Sequence, residues 1–220
     1  MIGDLVSLSA RAVRDLLKDR QVTPLELLEA LEIRIAEVNG PVNALPTLCF
    51  ERARARAREQ DFSTLPLAGI PIAIKDLLTV SGVRTTFGSM AYRDHVPKAS
   101  DLLVERIEAA GGIVYAKSNT PEFGAGANTF NDVFGFTRNP WNTALSAAGS
   151  SGGSAVALAT GMAWLATGSD LGGSLRNPAS FCSIVGCHTT QGRIATDPGA
   201  TALNRPTVAG PVARNLAKPA

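Results

Sequence analysis

The sequence predicts an α/β domain in which helices cover a sheet. Three observations carry that expectation. Two capped, amphipathic helices open the chain, an isoleucine-rich apolar run follows, and a helix–Gly-Gly–strand unit comes after it.

Taken in order, residues 7–17 start at a cap-like Ser7 and place Leu8, Val13, Leu16 and Leu17 at helical spacing. Thr23-Pro-Leu-Glu26 combines an N-cap threonine, proline at the first helical position and glutamate at the third. That helix is expected to reach about Val38 and to end at Asn39-Gly40. Residues 41–48 read as loop or short strand. Residues 50–60 read as a basic helix whose Arg52, Arg54, Arg56 and Arg58 recur at period two. On a helix that spacing spreads them around the surface, which predicts a solvated face rather than a stripe for an anionic partner.

The run Leu67-Ala-Gly-Ile-Pro-Ile-Ala-Ile-Lys-Asp76 is apolar on both faces, as a buried strand is. A lysine delivered at the end of such a strand is partly desolvated, which lowers its pKa and frees a neutral amine to act as a base. Residues 79–90 read as loop and turn. Ala99-Ser-Asp101 caps a helix through Ala110, Gly111-Gly112 ends it, and Ile113-Val-Tyr-Ala-Lys117 follows as a short strand. Lys117 is therefore a second strand-end lysine, and periodicity alone does not choose between it and Lys75. Thr120-Pro-Glu-Phe-Gly124 opens a short helix, and residues 124–144 form a long ordered loop of the kind that carries function. Residues 155–166 read as a buried helix and residues 176–185 as a buried turn and helix. Residues 191–211 carry Pro and Gly without periodicity. Residues 210–216 look like the entry to a helix, which Pro219 would stop.

The chain is organised around Ala148-Ala-Gly-Ser-Ser-Gly-Gly-Ser154 and its echo Gly168-Ser-Asp-Leu-Gly-Gly-Ser174. Read alone, either loop could be an ordinary turn or linker. A phosphate cradle would need Gly-x-x-x-x-Gly-Lys or Gly-x-Gly-x-x-Gly after a strand, and no lysine lies between Gly149 and Gly173. Serines beside exposed backbone N–H groups suit acyl transfer, which needs a hydroxyl nucleophile and donors for an oxyanion. A Ser-His-Asp hydrolase fits poorly: His95 and His188 are both remote from the serine motifs, and there is no Gly-x-Ser-x-Gly elbow.

Together, Gly69-Ile-Pro-Ile-Ala-Ile-Lys-Asp76, Ala148-Ala-Gly-Ser-Ser-Gly-Gly-Ser154 and Gly168-Ser-Asp-Leu-Gly-Gly-Ser-Leu-Arg-Asn-Pro-Ala179 closely resemble the amidase signature family. The resemblance implies a mixed sheet covered by helices and a Ser–Ser–Lys triad that cleaves a carboxamide C–N bond through an acyl-enzyme. By motif position, Ser174 matches the nucleophile, Ser150 the bridging serine after a cis Gly149–Ser150 peptide, and Lys75 the base. Backbone N–H groups of Leu171, Gly172, Gly173 and Ser174 match the oxyanion donors. The match departs at Ala148, where the family has glycine, and at Gly186-Cys-His-Thr-Thr-Gln-Gly-Arg193. It covers only the N-terminal part of the family domain, with residues 1–60 as a helical lead and 61–220 as the sheet core. The chain is thus expected to be truncated at its C-terminal side. It would then be either the N-terminal part of an enzyme completed by another chain or a homo-oligomer, or a non-catalytic remnant or subunit of an amidase or amidotransferase.

Composition sets the remaining bounds. A chain of 220 residues that is 45% hydrophobic and 18% charged is globular. A net charge of +2 argues for neither nucleic acid nor a membrane surface, and the family resemblance implies a small-molecule amide as the partner. Cys49, Cys182 and Cys187 are sparse and odd in number, and the N-terminus lacks a signal pattern, so a cytoplasmic setting is expected. Cys182, Cys187 and His188 lack a fourth ligand for a metal, and neither the motifs nor the resemblance calls for a cofactor.

Overall fold

The computed structural model describes residues 5–194 and 207–216. It is an α/β fold: a six-stranded mixed sheet with helices packed against it.

The chain enters through α1 (Ala10–Lys18), whose N-cap is Ser9, accepting from Ala12 N, rather than the expected Ser7. In α2 (Pro24–Val42) the predicted capping box is present: the Thr23 side chain accepts from Glu26 N, and Glu26 accepts from Thr23 N. The helix does not stop at Asn39-Gly40. It runs on through Pro41 to Asn43, which is left-handed at φ 49°. The Asn39 carboxamide explains the extension. It accepts from Ala44 N and Leu45 N and donates to Leu45 O, fastening the last turn to the chain that leaves it. Strand β1 (Thr47–Leu48) follows, then α3 (Phe50–Glu59). As expected, the α3 arginines are dispersed rather than gathered: Arg52 pairs with Glu108, Arg54 with Glu32 and Arg56 with Glu59.

Strand β2 (Pro71–Lys75) begins four residues later than the apolar run suggested, because Ala68 and Gly69 take positive φ and make a turn. Helix α4 (Leu102–Ala109), capped by Asp101, returns the chain to β3 (Ile113–Ser118), parallel to β2. Every residue of β2 and β3 is buried, which accounts for their unbroken apolar character. Residues 120–124 give only a 3₁₀ turn (Glu122–Gly124). The expected loop over 124–144 contains a hairpin, β4 (Phe130–Asn131) with β5 (Gly135–Phe136).

The largest correction concerns residues 155–166. The helix α5 (Gly152–Ala159) starts inside the first serine motif and ends early, Gly161 turns at φ 77°, and Leu165 opens strand β6 (Leu165–Asp170). A continuous apolar run does not separate a buried helix from a buried strand, and here it held both. Helix α6 (Arg176–Cys182) follows as expected, then β7 (Val185–Gly186). Residues 210–216, expected as a helix entry, are not helical: 210–213 belong to strand β8 (Val208–Ala213), antiparallel to β6 along its length. Gly210 and Pro211 masked it, since both are scarce within strands. Residues 217–220, where the proline stop was expected, and most of 191–211 lie outside the described residues.

The strand order is β1-β3-β2-β6-β8-β7. Its centre, β3-β2-β6, is parallel. The C-terminal ends of those strands therefore lie along one edge and bring Lys75, Ser118 and Asp170 there, the position where open α/β sheets bind ligands. No described helix is long and apolar enough to cross a membrane.

Candidate active site

The edge begins with a strand end that lacks a complete ladder. The β2–β6 pairing runs through Ile72↔Leu165 and Ala73↔Ala166. Beyond it, the Lys75 N–H donates to Thr167 Oγ1 at 2.9 Å, so a side chain replaces the missing ladder partner. Lys75 is 1% exposed. Its Nζ lies 2.7 Å from Ser150 Oγ, 2.9 Å from Ser151 Oγ and 2.9 Å from Ser169 Oγ. Burial lowers its pKa to about 7, with the Asp170 charge opposing the shift. A neutral amine ringed by three hydroxyls donates to two of them and accepts a proton from the third.

The serine loop enters α5 by a tight path. Ala148 stands at φ 58°, the Gly149–Ser150 peptide is cis, and Gly152 and Gly153 start the helix. A Cβ on Gly153 would lie 2.6 Å from Asn119 O and 2.7 Å from Ala44 O, so no side chain fits there. Ala148 is the family departure noted above, and its left-handed backbone favours glycine by about 1 kcal/mol. Ala148→Gly is accordingly expected to raise stability by that order, read as a higher denaturant midpoint; a lower midpoint would contradict the assignment of strain to this residue.

The second motif closes the site. Asp170, fully buried, accepts from Gly173 N (2.7 Å), Leu175 N, Arg176 N and the Arg176 guanidinium. Burial raises its pKa, but the Arg176 hydrogen bond and the backbone donors outweigh burial and hold its carboxyl well below the usual range. The Asp170 carboxylate thus folds residues 171–176 into a fixed turn. Ser174 is half-buried on that turn, and its carbonyl accepts from Ser151 N at 3.2 Å, which ties the two serine motifs together. Among the described residues its hydroxyl has no hydrogen-bond partner. The same holds for the N–H groups of Leu171, Gly172 and Ser174, whereas the Gly173 N–H is given to Asp170. Asp170→Ala would strand the Gly173, Leu175 and Arg176 donors and is expected to cost roughly 3 kcal/mol of stability; an unchanged melting temperature would rule out the anchoring role.

Lys117 lies beside Ile74 in the β2–β3 register, one position from Lys75, and so faces away from the serines. Its Nζ pairs with Asp76 Oδ1 at 2.8 Å, both groups being buried. Burial pulls its pKa down while Asp76 pulls it back. Of the two strand-end lysines, only Lys75 meets the serine motifs. Reading the sequence missed Thr167, Ser169 and the part played by Ser151 and Asp170. Polar residues at 167 and 169 share a strand face, a signal that was readable only if 165–170 had been taken as a strand.

A family model for amidases matches residues 26–220. The chain belongs to the amidase signature family. Among its relatives, a glutamyl-tRNA(Gln) amidotransferase subunit from Methylacidiphilum infernorum (isolate V4) is 42% identical over 191 residues, covering 87% of this chain and 38% of the relative. The corresponding subunit from Roseiflexus sp. (strain RS-1) is 42% identical over 196 residues, covering 87% and 40%. The solved 6-aminohexanoate cyclic dimer hydrolase superposes with a TM-score of 0.87 at 34% identity, over 95% of this chain and 44% of that one. A bacterial aryl acylamidase of the amidase signature family gives 0.87 at 29%, over 94% and 45%. The chain therefore spans about 40% of the length of the curated relatives it matches.

Proposed function

We propose that this amidase signature chain carries a Ser174–Ser150–Lys75 relay for acyl transfer from a small carboxamide. The observation that carries the reading is the buried Lys75 amine, titrating at about 7, with Nζ 2.7 Å from Ser150 Oγ. In the proposed step, neutral Lys75 takes the Ser150 proton as Ser150 takes that of Ser174, and Ser174 Oγ bonds to the amide carbonyl carbon. The oxyanion is held by the N–H groups of Leu171, Gly172 and Ser174. The Gly173 N–H, expected to join them, instead shapes the loop through Asp170. The relay returns the proton to the leaving nitrogen as the C–N bond breaks, and water then cleaves the Ser174 ester along the same path. Ser151 and Ser169 complete the ring of oxygens on Nζ and hold it toward Ser150.

A fluorophosphonate serine label tests this reading. Lys75 must be uncharged to accept a proton, so labelling of Ser174 is expected to slow about tenfold for each pH unit below 7 and to level off above it. A flat profile from pH 5 to 9, or labelling at another serine, would refute the relay.

The similarity to glutamyl-tRNA(Gln) amidotransferase subunits favours a second reading of the same chemistry, in which the released nitrogen passes to an acceptor held by partner subunits. Ammonia release from an amide alone supports the hydrolase; release only with glutamyl-tRNA and the partner subunits supports the transferase.

A further inference from the structure

A second buried cluster lies on the far side of β2 from the serines. Lys117 Nζ donates to Asp76 Oδ1, Leu78 O and Thr85 Oγ1, each at 2.8 Å. Asp76 Oδ2 accepts from Thr86 N at 3.0 Å and Thr86 Oγ1 at 2.6 Å. Every ammonium proton and both carboxylate oxygens are thus satisfied inside the protein, the condition under which a buried pair is tolerated. All the loop partners belong to residues 77–89, so the pair fastens that loop to the ends of β2 and β3.

The loop then reaches the site. Gly88 N donates to Thr86 Oγ1 at 3.0 Å, and Phe87 O accepts from Phe123 N at 2.7 Å. A Cβ on Gly88 would lie 2.9 Å from Thr120 O, so the two segments touch along their backbones. The rings of Phe87 and Phe123 both pack on Tyr92. Next in the chain, a Cβ on Gly124 would lie 2.6 Å from Leu77 and 3.6 Å from Ser150 Oγ. Gly124 is therefore packed between the clamped loop and the bridging hydroxyl.

We propose that Asp76 and Lys117 are positioning residues: through residues 77–89 and Phe87 they hold the Glu122–Gly124 turn against Ser150, fixing the wall beside the relay. The inference rests on the Lys75–Ser150–Ser174 reading for its consequence, though not for the clamp itself. Removing one charge alone strands the other, so the informative variant is Asp76→Asn with Lys117→Met, made in the 220-residue chain.

Two measurements are paired with its melting temperature. Hydrogen exchange at the Phe123 amide is expected to quicken at least tenfold, and labelling of Ser174 to slow at least tenfold, at a melting temperature near that of the wild type. Unchanged exchange at Phe123 would overturn the clamp. Faster exchange with undiminished labelling, or labelling that merely tracks the melting temperature, would overturn the positioning role. Should the double variant not fold, Thr86→Val keeps the charge pair, removes the hydroxyl that joins Asp76 to Gly88, and is held to the same outcomes. If the wild-type chain itself fails to label at Ser174, the relay reading falls and the clamp stands or falls on the Phe123 exchange.

Discussion

Ser174→Ala is expected to abolish amide turnover, with a loss on the order of 10⁴-fold or more in kcat. The hydroxyl stands half-buried on a turn built by Asp170, with its carbonyl held by Ser151 N, and no hydrogen bond among the described residues engages it. Its removal would therefore delete the atom proposed to react and little else. The melting temperature is expected to stay within about 2 °C of the wild type, since surface and half-exposed changes away from buried networks cost only a few tenths of a kcal/mol. The measurement is ammonia release paired with a melting curve. Residual turnover within tenfold of the wild type would remove Ser174 from the chemistry; a large fall in melting temperature would show that it acts in the fold instead.

Lys75→Met separates catalysis from stability in the opposite direction. Activity is expected to fall by a similar 10⁴-fold, because the proposed relay would lose its proton acceptor. Stability is expected to hold or rise. Folding moves this group from a solvated lysine at 10.5 to a buried one at about 7. Between those values the folded chain binds fewer protons than the unfolded one, so Lys75 makes stability increase with pH from about 7 upward. Below 7 the penalty is present in full, on the order of 5 kcal/mol. Methionine removes it, offset by about 1–3 kcal/mol for serine hydroxyls that lose their nitrogen. A melting temperature at pH 7 at or above wild type, with a flattened pH dependence, is the expected result. A variant that is inactive and also markedly less stable would mean that Lys75 is held as a charged structural group.

Local reading succeeded where one side chain commits the backbone. The Thr23–Glu26 box, the Asp101 cap and the buried β2 and β3 runs each carry their reason within a few residues. It failed where the deciding partner was distant. Residues 165–170 became a strand because β2 and β8 flank them, and Val208–Ala213 became one because β6 supplies a ladder for a segment that contains Gly210 and Pro211. The Gly173 N–H was illegible for the same reason: nothing local announces that it turns to the Asp170 carboxylate.

By itself the sequence determined the membership and the chemical inventory: an amine at the end of a buried strand, hydroxyls in glycine-rich loops, and no histidine beside them. Periodicity left two strand-end lysines open and only the family resemblance favoured Lys75; the physical reason for the choice lies in the tertiary structure. Side chains at neighbouring register positions of a sheet point to opposite faces, so Lys75 enters the serine ring while Lys117, one position away, is committed to Asp76.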